Sequence, residues 1–222
     1  MSNEAGTQRG AKAADVAAET IRRLIEEGAL APGQRLIEAE LLERVPVARG
    51  ALREAFVKLA AAGLVEQRHQ RGTCVRRLSR TALAEMFELR EGLEGYAAGL
   101  AARRIAAGAP AAFLREARAV WLGAAARANA LAHMENNVPF HEGIVALAGN
   151  RRLALALAPL ELPAYRLQFL RLLDGEQLEA SAAEHLALID ALLDGKAARA
   201  EKIMRAHVRR AGLLAQRIVG LD

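Results

Sequence analysis

The stretch that decides the fold runs from Ile21 to Val75 and reads IRRLIEEGALAPGQRLIEAELLERVPVARGALREAFVKLAAAGLVEQRHQRGTCV. Apolar residues recur every three or four positions in three of its segments, which is the spacing of amphipathic helices. The first helix is expected to end at Gly28, the second to span 38–44, and the third to span about 48–62 with Gly63 as its C-cap. The stretch therefore predicts three helices joined by short turns.

A short β-hairpin is predicted after the third helix. The strands cover residues 64–68 and 73–77, and the turn between them is Gln70-Arg71-Gly72. Three helices followed by a hairpin is the order of a winged helix-turn-helix. In that motif the N-terminal residues of the third helix face the major groove of DNA.

Basic side chains lie where such a motif meets DNA. Arg49 begins the third helix and Arg53 follows four residues later on the same face. Arginine binds guanine O6 and N7 in a bidentate manner or binds phosphate. The hairpin adds Arg68, Arg71 and Gly72, which has no side chain and allows close approach to the DNA backbone or minor groove. The same spacing also fits arginines on a solvated surface, and DNA binding is the interpretation that we favour.

The rest of the chain is rich in alanine and leucine and predicts an all-helical bundle. Of the 222 residues, 53% are hydrophobic and only 4% are aromatic, which favours helices over sheets. The expected helices cover residues 81–107, 111–131, 136–148, 151–172, 177–194 and 197–219. The predicted fold is mainly α, with a disordered N-terminus at 1–10, a winged helix-turn-helix at 11–79 and a helical effector-binding and dimerisation domain at 80–222.

Cysteine content and hydropathy indicate a protein of the cytoplasm. Cys74 is the single cysteine, so an internal disulfide is excluded. The polar start of the chain does not fit a signal peptide, and no apolar run approaches the roughly 18 residues of a membrane span. We expect no membrane partner. The net charge of +5 suits an acidic partner.

Three histidines are placed so that they can meet. His185 lies ten residues before Gly195 and His207 twelve after it, so in an antiparallel hairpin both lie about 15–18 Å from the turn. His141 lies on an earlier helix, with Asn137 four residues before it on the same face. Three imidazoles and an oxygen suit a divalent metal such as Zn²⁺, Ni²⁺ or Mn²⁺. The alternative is three unrelated surface or core histidines.

The segment from Ile21 to Val75 resembles the GntR family of winged-helix regulators. It carries the family's I..G.L.PG..L.E..L framework, its V-S-R-x-x-V-R-E-A-L recognition helix and its G-L-[VI]…RG-[TA]-x-V wing. The resemblance implies that Arg35, Arg49 and Arg53 contact DNA, together with Gly72 and its neighbours. Two residues depart from the family pattern, and they predict a normal fold with an altered or weaker operator preference. Ala48 replaces the usual Ser, which removes a helix cap worth roughly 1 kcal/mol, and Gly50 replaces a common Thr.

Residues 80–222 resemble the FCD domain of the FadR subfamily. The matching stretches are FELREGLEGYAAGLAARR (87–104), FHEGIVALAGN (140–150), SAAEHLALIDALLDG (181–195) and AEKIMRAH (200–207). The metal ligands of the family correspond to Asn137, His141, His185 and His207. Asn137 departs from the family's Asp, and the nearby Pro139 leaves open that Asn137 is instead a helix N-cap.

The family's effector-binding arginine corresponds to Arg90, and its glutamate to Glu94. An arginine inside a helical bundle can bind a carboxylate effector whose other oxygens reach the metal. The alternative for Arg90 is a surface salt bridge to Glu94, four residues later.

We therefore predict a ligand-responsive transcriptional regulator, a repressor that binds a pseudo-palindromic double-stranded DNA operator as a homodimer. Its effector is a small organic or sugar acid, because a divalent ion among neutral ligands keeps its full charge and Arg90 adds to it. Zinc is the expected metal, with nickel or manganese as alternatives. Two other functions remain open, a metal-dependent hydrolase with a three-histidine site and a constitutive dimeric DNA-binding protein. The winged helix argues against the enzyme.

Overall fold

The computed structural model describes residues 2–68, 72–127, 130–160 and 173–218. The chain divides into two compact units between Arg77 and Leu78. Most of the described residues are helical, and the sheet found among them is a two-stranded hairpin. The prediction of a mainly α protein, with a winged helix-turn-helix before a helical bundle, is confirmed. The predicted domain ranges place their boundary two residues later, at 79/80, and stay predictions.

The first unit has the predicted order of helices and strands. Its elements are α1 (Ser2–Glu26), α2 (Glu38–Arg44), α3 (Arg49–Ala61), β1 (Val65–Arg68) and β2 (Gly72–Val75). α2 has the bounds predicted for it. Each strand is one residue shorter than predicted, and β2 begins one residue earlier and ends two residues earlier than expected. α1 begins at Ser2, whereas disorder was expected for residues 1–10. Its packed part begins at the fully buried Ala14, and adding turns to an existing helix costs far less than nucleating one.

α1 and α3 form the core of this unit. Ile21 and Ile25 of α1 are buried in one cluster with Leu52 and Phe56 of α3. The hairpin is antiparallel and pairs Arg68 with Gly72. This packing fixes the backbone of α3, the helix expected to face DNA.

The start of α3 lacks a side-chain cap, as the sequence predicts. Ala48 is the N-cap residue with extended backbone angles, φ −67° and ψ 149°, and no side chain accepts a hydrogen bond from the first turn. Ala48 is also exposed, so a larger side chain fits there.

Replacing Ala48 by Ser is expected to stabilise the first unit. The hydroxyl can accept a hydrogen bond from a free N–H of the first turn, which raises the free energy of unfolding by about 1 kcal/mol. Urea-induced unfolding followed by circular dichroism measures the change. Ala60→Ser, an exposed site within α3, is the matched control and is expected to lose a few tenths of a kcal/mol. Equal effects of the two substitutions would contradict the capping argument.

The second unit is a bundle of helices. Its elements are α4 (Arg80–Ala106), α5 (Ala112–Arg127), α6 (Ala130–Ala148), α7 (Arg151–Leu157), a 3-10 turn (Ala158–Leu160), α8 (Gly175–Leu193) and α9 (Ala197–Ile218). The long α4 packs against α9, α6, α8 and α7, and α5 packs against α8. The predicted helix 151–172 is described only as far as residue 160. Gly149 and Gly195 follow helix ends with φ of +64° and +67°, the left-handed conformation that glycine adopts without strain.

α6 differs from its prediction in a way that matters for the site. It begins at Ala130, six residues earlier than predicted, and runs through Asn137 and Pro139. Asn137 is therefore in the interior of a helix, and its interpretation as an N-cap is wrong. Among the described residues, none of the helices has both the length and the apolar character needed to cross a membrane.

Candidate metal centre and nucleic-acid interface

Three helices of the second unit each contribute one buried histidine to a cluster. His141 of α6, His185 of α8 and His207 of α9 are 9%, 0% and 5% exposed. One ring nitrogen from each lies within 4.8 Å of the others. The rings of His185 and His207 approach to 4.4 Å between centroids, as their spacing about Gly195 predicts.

Two glutamates, the buried Glu94 and the half-buried Glu184, orient two of these histidines. His141 Nδ1 lies 2.5 Å from Glu94 Oε2, and His207 Nδ1 lies 2.7 Å from Glu184 Oε2. A carboxylate accepts hydrogen bonds and cannot donate them, so each Nδ1 carries the proton. In the neutral form of each ring, Nε2 then keeps its lone pair, which is the tautomer that metal-binding histidines adopt.

Each glutamate also binds an arginine. Arg90 Nε donates to Glu94 Oε1 at 2.8 Å, and Arg210 donates two hydrogen bonds to Glu184, at 2.8 and 2.7 Å. Burial alone raises the pKa of Glu94, but Arg90 and His141 outweigh it and lower that pKa to about 2. Burial likewise opposes the hydrogen bonds from His207 and Arg210, which lower the pKa of Glu184 to about 2.

The contact to Arg90 modifies the charge argument made from the sequence. The predicted Arg90–Glu94 salt bridge is present, but Glu94 is 4% exposed and faces His141, so the pair belongs to the site and not to the surface. The negative charge of Glu94 balances Arg90, and Arg90 therefore adds no net charge to the cluster.

His185 is held by packing instead of by a carboxylate. Its ring stacks on Trp121 with 3.9 Å between centroids, and its Nδ1 has no hydrogen-bond partner among the described residues. Burial lowers the pKa of His185 well below its usual value, and burial also lowers the pKa of His207. Both imidazoles are therefore neutral at physiological pH, as metal ligation requires.

One oxygen of Asn137 also lacks a partner among the described residues. Its Oδ1 is buried and accepts no hydrogen bond from the described residues. Asn137 lies one helical turn before His141, on the same face of α6. A buried oxygen without a donor costs free energy unless something binds it.

The residues present fit a divalent metal ion. His141 Nε2 and His185 Nε2 lie 3.4 Å apart. Two ligands about 2.0–2.1 Å from a tetrahedral zinc ion are also separated by about 3.4 Å. A cation could bind both nitrogens through their lone pairs, and the unpartnered oxygen of Asn137 could supply a further donor.

Sequence reasoning missed several polar residues around this cluster. It did not single out His133, which is buried, lies one turn before Asn137 on α6, and contacts Ser181 Oγ at 3.3 Å. Burial lowers the pKa of His133 to about 4. The spacing of four along His133, Asn137 and His141 was a visible signal, whereas the roles of Glu184 and Arg210 depend on how α8 and α9 pack.

The first unit places the predicted DNA-contacting residues as follows. Arg49 and Arg53 lie one turn apart on α3 and are exposed. Arg35 forms a β-bridge to Cys74 of β2, and Gly72 has φ +70° at the start of that strand.

Two of the arginines are paired with acids, and one lies outside the described residues. Arg53 is held by Glu38, and Arg68 is paired with Glu66 at 2.6 Å. Arg71 falls in the part of the chain that the structure does not describe.

The geometry of the cluster does not favour a hydrolase, because its candidate general base is already engaged. Glu184, a carboxylate beside the histidines that a hydrolase could use as a general base, is engaged by both His207 and Arg210. A base that already binds two cationic or N–H groups is poorly placed to take a proton from water.

Two family models match the chain. Residues 13–75 match the gntR family of bacterial regulatory proteins, and residues 85–210 match the FCD domain. Among curated relatives, the chain is 31% identical to a probable D-xylose utilization operon transcriptional repressor from Paenarthrobacter nicotinovorans, over 83% of this chain and 80% of that protein. It is 28% identical to the Nta operon transcriptional regulator of Aminobacter aminovorans, over 81% of this chain and 83% of the relative.

Solved structures of regulators share the fold. A transcriptional regulator GntR from Rhodococcus sp. RHA1 matches with a TM-score of 0.70 at 22% identity, covering 94% of this chain and 98% of that one. McbR/YncC from E. coli matches with a TM-score of 0.68 at 19% identity, covering 90% and 96%. The chain belongs to the GntR family of bacterial regulatory proteins, carries an FCD domain after its DNA-binding head, and is a transcriptional regulator and not an enzyme.

Proposed function

We propose that this regulator is a dimeric repressor whose DNA binding is controlled by a small carboxylate that binds at a divalent metal ion in the FCD domain. One observation carries the proposal. Three buried imidazoles converge in the bundle, and the unpartnered oxygen of Asn137 belongs to the same helix as His141, one turn earlier. Such a set of donors binds a first-row divalent ion, for which zinc is our first choice and nickel or manganese are alternatives.

The ligand set leaves the charge of the ion unbalanced. The three histidines and Asn137 contribute no negative charge, and the two nearby carboxylates are each paired with an arginine, Glu94 with Arg90 and Glu184 with Arg210. A buried divalent ion would therefore keep its full charge of +2. Burying that charge without a counter-ion is costly, so an anion is expected to complete the site.

A carboxylate metabolite meets this need better than a simple inorganic anion. Arg90 uses its Nε to bind Glu94, and within the described residues this leaves its terminal N–H groups available. Its side chain is 23% exposed, whereas that of Glu94 is 4% exposed. Arg90 can therefore bind a carboxylate while other oxygens of the same molecule reach the metal, and an organic or sugar acid supplies both.

Repression and dimerisation are proposed on separate grounds. The relative with 31% identity is named a transcriptional repressor. One recognition helix reads too few base pairs for useful specificity, and a twofold dimer on a pseudo-palindromic operator doubles the site. Because the target is operator DNA, we place the protein in the cytoplasm.

The test is thermal stabilisation of the zinc-loaded protein by a panel of carboxylic and sugar acids, followed by operator binding with each hit. A ligand present at about 100 times its Kd stabilises by about 2.7 kcal/mol, which raises Tm by roughly 5–10 °C for a chain of this size. A hit is then expected to weaken operator binding, because a ligand shifts the equilibrium by its differential affinity for the two states.

Two matched controls test the charge of the effector and the role of Arg90. The amide of each hit lacks the charge and is expected to give no shift in Tm. Arg90→Gln is expected to reduce the shift, and equal shifts in wild type and variant would show that Arg90 does not bind the effector. Hits that leave operator affinity unchanged would favour the alternative of a constitutive DNA-binding dimer.

A further inference from the structure

Within the helix-turn-helix, a carboxylate on α2 holds an arginine on α3. Arg53 Nε donates to Glu38 Oε1 at 2.8 Å, and Arg53 Nη2 donates to Glu38 Oε2 at 3.3 Å. We propose that Glu38 is a positioning residue that directs Arg53 at a guanine and thereby sets the base preference of this regulator. The inference rests on the proposed role of α3 in reading DNA.

The geometry of the pair leaves the reading edge of Arg53 free. A guanidinium has five N–H groups, and the two contacts to Glu38 use one on Nε and one on Nη2. Both N–H groups of Nη1 and one of Nη2 remain. These lie along the outer edge, which can donate two parallel hydrogen bonds to guanine O6 and N7.

Both ends of the contact are attached to packed backbone. Leu41, one turn after Glu38 on α2, is 3% exposed, and Leu52, beside Arg53 on α3, is fully buried. Two rigid helices therefore fix the two side chains relative to each other. An arginine fixed in this way loses less rotamer freedom when it binds a base than a free arginine does.

Without a role in directing Arg53, the negative charge of Glu38 would only weaken DNA binding. The hydrogen bond from Arg53 lowers the pKa of Glu38, so the carboxylate is charged when the protein meets DNA. A negative charge beside the recognition helix repels phosphate and lowers affinity for every sequence. A role in directing Arg53 explains how such a charge is compatible with a DNA-binding surface.

Arg49 provides the contrast within the same helix. It is exposed, and within the residues that the structure describes it forms no hydrogen bond or salt bridge, although its charge acts on Glu38. An arginine without a fixed fork adapts to phosphate as readily as to a base edge. We therefore assign base discrimination to Arg53 and backbone contact to Arg49.

The experiment begins with an operator selected by the wild-type protein from random-sequence duplexes. Affinities are then measured for that operator, for every single-base-pair variant of it and for a random duplex, at one salt concentration. Glu38→Gln is expected to lose about 10- to 100-fold of discrimination at one base pair of each half-site, the value of a good bidentate contact. Arg53→Ala is expected to lose discrimination at the same base pair, and the double variant to behave like Arg53→Ala alone.

Glu40→Gln is the matched control. Glu40 lies in the same first turn of α2 and is exposed, so its replacement removes the same charge without touching Arg53. Both glutamine variants are expected to bind random DNA at least as tightly as the wild-type protein does. If Glu38→Gln keeps the wild-type pattern of discrimination, as Glu40→Gln does, or loses discrimination evenly at all positions, the positioning role is overturned.

Two further results keep the test decisive. If Glu38→Gln fails to fold, Glu38→Asp replaces it, because aspartate retains the charge but has a shorter side chain. Loss of discrimination only at the base pair that Arg53 contacts would support the proposal. An unchanged pattern of discrimination would overturn it. If the wild-type protein selects no sequence at all, the proposed operator-binding function fails. If it selects an operator and Glu38→Gln discriminates equally well, only the positioning role of Glu38 fails.

Discussion

Replacing His207 by alanine is expected to abolish stable binding of a divalent metal ion by the FCD domain. The change removes one of three imidazole donors and leaves Glu184 beside an empty space instead of a ring nitrogen. The loss of affinity should exceed the 10- to 100-fold that removal of an outer partner of a ligand costs. Elemental analysis after gel filtration and competition with a chromophoric chelator measure the retained metal and its affinity.

His133→Gln is the control for this prediction. His133 is a buried histidine whose ring lies 5.8 Å from that of His185, but it is not one of the three clustered residues. Metal content should therefore be unchanged in this variant. A wild-type protein that holds no metal even after reloading with zinc would leave the three histidines as a polar pocket only.

The same measurement on Asn137→Asp tests the fourth donor. A carboxylate at the position of the unpartnered Oδ1 would bind a cation more tightly than a neutral amide does, because it adds a negative charge next to the ion. We expect a tighter complex and a weaker dependence on an added carboxylate, since the charge left for an effector to balance is smaller. An unchanged affinity would show that residue 137 does not ligate the metal.

Replacing Arg49 by alanine is expected to weaken operator binding by about 10- to 100-fold and to make that binding less sensitive to salt. Each phosphate contact contributes about 0.9 to the slope of log K against log salt, so loss of one contact from each half of a dimer lowers the slope by about 2. Fluorescence anisotropy of a labelled operator between about 50 and 200 mM salt measures both quantities. The expected loss applies nearly uniformly to all sequences.

Arg103→Ala serves as the charge-matched control for Arg49. Arg103 is an exposed residue of α4, in the second unit. Its loss removes the same charge without touching α3, and both affinity and slope should stay close to wild type. Wild-type affinity in Arg49→Ala would exclude this residue from the DNA interface.

The elements of the fold were predictable where local signals were strong. α2 has the predicted bounds of Glu38 and Arg44. α3 ends at Ala61 with Ala62 as its C-cap, and the positive-φ Gly63, predicted as the C-cap, is the next residue. The start of α6 was not predictable, because Pro139 signals a helix start but is tolerated inside this helix.

The site was predictable only in part. The proximity of the three histidines could be predicted from the sequence, because helical spacing and the turn at Gly195 determine where they lie along their helices. The hydrogen bond from His141 to Glu94 could not, because it joins α6 to α4 and depends on how those helices pack. For the same reason the Arg90–Glu94 pair was visible from its spacing of four, but its burial was not.

The stacking of Trp121 on His185 has a practical consequence. Trp121 is the sole tryptophan of the chain, so all indole emission from the protein originates in direct contact with one of the clustered imidazoles. Metal binding to His185 would place a positive charge beside this indole, and indole emission depends on nearby charge. We therefore expect the emission of the unlabelled protein to change when the histidine cluster is occupied.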